Sequence, residues 1–229
     1  QLENRSEETA LLAIQGPKAI NAMQKLTSSD LDKLPFYSHT RGTFAGCENT
    51  LIASTGYTGA GGIEIYFPAT KAIQIWDAIL EAGKEYDIAP VGLAARDTLR
   101  TEMGYCLYGN EINDTTSPIA AGLKWISKPE KGCINAKQIK SEIDHGTEQK
   151  LIALVMDDRA IPRSGHDIVD ENNAVIGRVT SGTQSPILSK GIGLGYVNSK
   201  FAKTDSSIGV FIREKNCTAK IVKLPFIKS

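Results

Sequence analysis

The sequence predicts an α+β region followed by a small all-β barrel or sandwich, on three observations. Up to about residue 149, strand-like runs around a glycine turn alternate with apolar stripes of helical period. From Leu151 onward, short strand-like runs recur between turn signals at the regular spacing of an antiparallel barrel or sandwich. Between the two lies Asp144-His-Gly-Thr-Glu-Gln-Lys150, a polar run with the composition of a linker. The boundary is accordingly expected at 149/150, with one domain over 1–149 and a second over 150–229.

The elements follow in chain order. Thr9 to Ile14 is an apolar run of core length. Gly46 to Ser54 and Gly62 to Phe67 alternate as strands on either side of a glycine turn. Thr70 to Ala82 reads as a helix with Ile73, Trp76, Ala78, Ile79 and Leu80 as its apolar stripe. Pro90 suits the first turn of a further helix, and Gly104 is placed to end it. A short helix is expected near Asn135 to Ile143. The later strands are expected at Leu151 to Met156, His166 to Val169, Val175 to Ser181, Gly191 to Val197, Ser207 to Arg213 and Thr218 to Leu224.

Composition narrows the function. Lys and Arg together number 26, as do Asp and Glu, so no global basic field draws the chain to nucleic acid. No apolar run approaches the length of a bilayer span, so neither a nucleic-acid nor a membrane partner is expected. Cys47, Cys106, Cys133 and Cys217 are scattered without a Cys-x-x-Cys pair, which suits free thiols in a reducing compartment. His39, His145 and His166 are not gathered either, and no metal site is expected.

Chemistry concentrates in Ser54-Thr-Gly-Tyr-Thr-Gly-Ala-Gly-Gly-Ile-Glu-Ile-Tyr66. The glycines permit positive φ and close backbone approach, while Ile63 to Tyr66 carry the β-branched and aromatic bias of a strand. On that strand Glu64 faces opposite to Ile63 and Ile65. A carboxylate in such company is costly to bury without donors, so it either turns to water or holds a ligand offering paired N–H groups. The segment lacks the Lys-Ser/Thr ending of a P-loop and the strand-to-helix placement of a dinucleotide fingerprint. A second dense segment is Pro90-Val-Gly-Leu-Ala-Ala-Arg-Asp-Thr-Leu-Arg-Thr-Glu-Met-Gly-Tyr-Cys-Leu-Tyr-Gly-Asn-Glu-Ile112, and after its GYCLYGN turn Asn110, Glu111 and Asp114 form a polar cluster, read as a solvated loop in preference to the lining of a cleft.

Taken with Thr115-Thr-Ser-Pro-Ile-Ala-Ala-Gly-Leu-Lys-Trp125 and Ala10-Leu-Leu-Ala-Ile-Gln-Gly-Pro17, these segments resemble the aminomethyltransferases of the glycine cleavage system, the T-protein family. The resemblance continues through Arg159-Ala-Ile-Pro-Arg163, Ile176-Gly-Arg-Val-Thr-Ser-Gly-Thr-Gln-Ser-Pro186, Gly191-Ile-Gly-Leu-Gly-Tyr-Val197 and Leu224-Pro-Phe226. It implies a folate-binding (ferredoxin-like) domain portion followed by a small antiparallel β-barrel. It also implies transfer of the methylene carbon from an aminomethyl-lipoyl H-protein to tetrahydrofolate as co-substrate, with release of ammonia, in the cytoplasm or the mitochondrial matrix.

By the same resemblance Glu64 accepts from the pterin, Tyr57 forms an aromatic wall, Arg96 is a cation of the pocket, and Tyr37 is a further folate contact. The family's catalytic aspartate is expected upstream of Gln1, which makes this chain a C-terminal portion, inactive alone and without a catalytic residue of its own. Family members commonly have Glu-Asp where this chain has Ala60-Gly61. Two alternatives share the pocket: the folate domain of a sarcosine- or dimethylglycine-oxidising enzyme, and a folate-binding iron–sulfur assembly factor. The latter carries KGCYxGQE, of which only Lys131-Gly-Cys133 is present here.

Overall fold

The computed structural model describes residues 2–227; Gln1 and residues 228–229, the outer ends of the two expected domains, lie outside the described residues. The chain divides into two compact units between Arg96 and Asp97.

In the first unit, β1 (Thr9–Gln15) is followed by α1 (Ala19–Gln24), β2 (His39–Phe44), β3 (Cys47–Ala53), β4 (Gly62–Pro68) and α2 (Ala72–Gly83). The four strands form one antiparallel sheet in the order β1-β4-β3-β2. Alternation in β4 sends Ile63, Ile65 and Phe67 into the core and leaves Gly62, Glu64 and Tyr66 on the other face. That core also takes Ile14, Met23, Phe44, Ile52, Ile75 and Ile79, so both helices cover the same side of the sheet.

Three differences from the sequence reading arise here. Thr9 to Ile14 is a strand, and α1 and β2 had no counterpart, because each is short and its pattern is supplied by its neighbours rather than by its own period. In α2 the buried face is Ile75, Ile79, Ala82 and Gly83, while Ile73 stays 79% exposed and Trp76 40%. The spacing i, i+4, i+7, i+8 makes a single face that excludes 73 and 76. Pro90 lies ahead of the next helix rather than in its first turn.

That helix, α3 (Leu93–Met103), crosses the division between the units and is followed by α4 (Ala136–His145). Six strands then close into an antiparallel barrel: β5 (Gln149–Met156), β6 (Asp167–Val169), β7 (Val175–Ser185), β8 (Lys190–Asn198), β9 (Ser207–Ile212) and β10 (Lys215–Val222), in the order β10-β5-β8-β7-β6-β9. All six expected strands are present. Their inward residues, among them Leu154, Met156, Ile168, Val179, Val197, Val210 and Ile221, form a second core. The anticipated linker shrinks to 146–148, since α4 runs to His145 and β5 begins at Gln149.

The sequence places a division at 149/150, whereas the compact units part at 96/97, with residues 97–148 on the barrel's side. Buried polar groups account for this. Arg100, 0% exposed, donates to Ser181 of β7 at 2.7 Å, Glu102 pairs with Ser185, and Thr180 donates to Glu111 at 2.6 Å. Parting these groups would strand buried charge without partners.

Candidate functional site

The glycine turn joins β3 to β4, whose register sets Glu64 opposite Ala53 on one side and Ala13 of β1 on the other. Gln15, at the end of β1, anchors the turn. Its Nε2 donates to the carbonyls of Thr55 at 3.1 Å and Ile63 at 3.2 Å, and its Oε1 accepts from the Thr58 hydroxyl at 3.1 Å. The Gly16 N–H also donates to the Gly61 carbonyl at 2.9 Å. Two glycines make room for this anchor. A Cβ on Gly56 would lie 1.8 Å from Gln15 Oε1, and one on Gly62, at φ +132°, would lie 2.2 Å from the Ile14 carbonyl oxygen.

Above this base, the Thr55 hydroxyl donates to Glu64 Oε2. Tyr66, two residues on and on the same face, has its phenol pushed up in pKa, first by burial and then by the charge of Glu64. Arg96 holds its guanidinium carbon 4.5 Å from the centre of the Tyr57 ring, within cation–π range. Tyr37 donates its backbone N–H to the Ser54 carbonyl at 3.0 Å, at the start of the turn, and the residue is 71% exposed with its ring centre 4.2 Å from that of Phe36. Tyr37 also sits at φ +62°, a conformation that bulky residues rarely adopt.

Thus Tyr57 and Arg96 touch, Glu64 is held by a residue two before Tyr57, and Tyr37 meets the same turn through its backbone. Gln15 and Thr55 were given no role in the sequence reading. The signal for Gln15 was its place between an apolar strand and Gly16-Pro17, where a polar side chain on the last strand residue faces the next loop.

The dense segment at 97–112 builds something else. Asp97, the residue after Arg96, accepts from Arg100 at 2.6 Å, and Arg100 reaches Glu111 at 2.7 Å with the Arg100 and Glu111 side chains fully buried. Burial opposes the charge of Arg100, but the hydrogen bonds it donates to Asp97 and Glu111 and the negative charges of both outweigh it and raise its pKa. Glu111 accepts as well from the Leu107 N–H at 2.9 Å, and the Tyr196 hydroxyl donates to its carbonyl at 2.9 Å. The expectation of a solvated loop is therefore wrong for Glu111, which is 1% exposed. Asp114 accepts from the Tyr108 hydroxyl, and both are exposed.

Two grooves open in the second unit. One of about 800 Å³ lies between 124–130 and α4, and one of about 350 Å³ lies between 114–118 and α4; neither is lined by Glu64, Tyr57, Arg96 or Tyr37. Among the described residues no group of three or more His, Cys, Asp or Glu side chains could hold a metal ion, and no helix is long and apolar enough to cross a membrane.

Comparison with known proteins bears on both units. The family model described as the GCVT N-terminal domain matches residues 1–131, and that of the glycine cleavage T-protein C-terminal barrel domain matches 149–228. Aminomethyltransferases from Flavobacterium psychrophilum and Bacteroides thetaiotaomicron are 54% and 52% identical over 99% and 100% of this chain. The chain spans 63% and 64% of the length of those relatives. The crystal structure of the glycine cleavage system aminomethyltransferase T from Bartonella henselae superposes with a TM-score of 0.86 at 30% identity, covering 96% of this chain and 60% of that one. With more than half of its residues under one family model and its barrel under the companion model, the chain belongs to the glycine cleavage T-protein family.

Proposed function

We propose that the protein is a tetrahydrofolate-dependent aminomethyltransferase, with Glu64 as the acceptor for the pterin. The observation that carries this reading is the Glu64 carboxylate itself. It stands on a strand between buried Ile63 and Ile65, with one oxygen oriented by Thr55, beside a turn that presents Tyr57 under the Arg96 guanidinium. A pterin offers its 2-amino group and a ring N–H side by side, and a carboxylate can accept both. Tyr57 and Arg96 supply a flat aromatic surface and a cation for the ring system, and Tyr37, whose backbone meets the start of the turn, is taken as a further folate contact.

The reaction supported by this reading moves the methylene carbon of an aminomethyl group, carried on the lipoyl arm of the H-protein, to tetrahydrofolate with loss of ammonia. Relatives named aminomethyltransferase support the transferase class, and the folate acceptor suits a site whose work is to position a nitrogen against that carbon. The folate-binding assignment for 1–149 and the barrel assignment for 150–229 belong to the same proposal. Residues 1–229 alone are expected to release no ammonia from loaded H-protein.

Glu64→Gln in the full-length protein tests the site. It turns one acceptor into a donor facing N–H groups, so tetrahydrofolate binding measured by calorimetry is expected to weaken by roughly 1.5–3 kcal/mol. Unchanged affinity would remove Glu64 from the site.

A further inference from the structure

A carboxylate that recognises two parallel N–H groups must present its plane at a defined angle, and a glutamate has three side-chain torsions with which to lose it. Around Glu64 one side chain limits that freedom directly and a second limits it through the first. The Thr55 hydroxyl donates to Oε2. A carboxylate has about four acceptor positions, so this bond orients the group while leaving it able to accept from a ligand.

Thr55 is the second residue beyond the end of β3, in a segment that no strand pairing holds. What holds it is the amide of Gln15. One Nε2 reaches the Thr55 carbonyl and the Ile63 carbonyl, which precedes Glu64 directly, while Oε1 takes the Thr58 hydroxyl that flanks Tyr57. Gln15 is paired with Gly62 across β1 and β4, so the amide is itself fixed to the strand that bears Glu64. The bare Cα of Gly56 gives it the space to lie there.

We infer that Gln15 and Thr55 are positioning residues for Glu64: Thr55 sets the angle of the carboxylate, and Gln15 sets Thr55 and the β4 backbone relative to each other. The inference rests on the folate reading of Glu64. It assigns the last residue of β1, some fifty residues away in sequence, a part in ligand affinity without contact with the ligand.

The test compares Thr55→Val, Thr55→Ala, Thr55→Ser, Gln15→Glu and Glu64→Gln in the full-length protein, with tetrahydrofolate titrated calorimetrically and thermal unfolding followed in parallel. Loss of the hydroxyl in Thr55→Val and Thr55→Ala is expected to raise Kd roughly 3–10-fold with little change in Tm, and Thr55→Ser to restore it to within about twofold. Gln15→Glu sets carboxylate oxygens against two carbonyls and is expected to raise Kd at least as much. A Kd within about twofold of the parent in both Thr55→Val and Thr55→Ala, while Glu64→Gln binds weakly, would overturn the positioning role and leave the folate reading standing. Unchanged affinity in Glu64→Gln would overturn both. Failure of Thr55→Ser to restore binding would overturn the role of the hydroxyl.

Discussion

Cys106 shows how one residue's surroundings decide its chemistry. Its thiol is half-buried, 4.0 Å from the Ala121 carbonyl oxygen, and its pKa is raised from 9.0 to about 11. Burial is the main cause and the Glu111 charge adds to it, while Arg100 pulls the other way. Because the folded value lies above the unfolded one, the protonated thiol favours the fold. Its contribution to stability is fully present below about pH 9 and is lost as the pH climbs toward about 11. Cys133, by contrast, is exposed. Iodoacetamide at about pH 8 is therefore expected to label Cys133 well before Cys106, with Cys106 catching up only near pH 11. Peptide mapping by mass spectrometry reads the order, and early labelling of Cys106 would contradict the account. The fully buried pair Arg100 and Glu111 makes the same point from the other side: charges usually found in water persist here because each oxygen and N–H finds a partner.

The turn between β3 and β4 is built on where a Cβ fits. At Gly62 the backbone has φ +132°, and a methyl would meet the Ile14 carbonyl oxygen at 2.2 Å, an atom that moves only if β1 moves. Gly61 also has positive φ, +76°, but open space around it. The two positions separate strain from collision. Gly62→Ala is expected to destabilise the protein by about 3 kcal/mol and to loosen the β1–β4 pairing, whereas Gly61→Ala should cost roughly 1 kcal/mol. Urea unfolding of the two variants checks the difference, and equal losses would show that the collision is relieved locally. Because Glu64 is two residues from Gly62, the folate site proposed above requires the first substitution to weaken tetrahydrofolate binding more than the second.

The molecule as a whole divides where buried polar partners allow. The barrel closes on itself, yet Ser181 and Ser185 of β7 are buried with Arg100 and Glu102 of α3 as partners, and Thr183 meets Thr98 at 3.3 Å. Cutting the chain at 148/149 would leave those hydroxyls without their partners and expose the surface that α3 covers. A protein of residues 149–229 is accordingly expected to unfold at a lower temperature than one of residues 97–229, by several degrees for each kcal/mol lost. Calorimetry compares them. Equal unfolding temperatures would show that the barrel owes nothing to residues 97–148.

Much of this was legible in the residues. Alternating Ile63, Ile65 and Phe67 announced β4 and put Glu64 on the opposite face, because side-chain direction along a strand has a period of two whatever surrounds it. The six barrel strands were legible for the same reason, each bounded by its own turn residues. What the sequence left open were the long-range pairings. Which face of α2 is buried depended on Ile75 and Ile79 meeting the sheet core, and Trp76 turned outward against its own hydrophobicity. Glu111 read as a loop acid because it is buried only once Thr180, 69 residues further on in β7, donates to it beside the nearby Arg100 and Leu107 N–H. Gln15 and Thr55 stand forty residues apart and meet only once β1 and β4 are paired. Local pattern is a property of neighbours in sequence, whereas a hydrogen bond that orients a carboxylate is a property of neighbours in space, and folding alone makes the second out of the first.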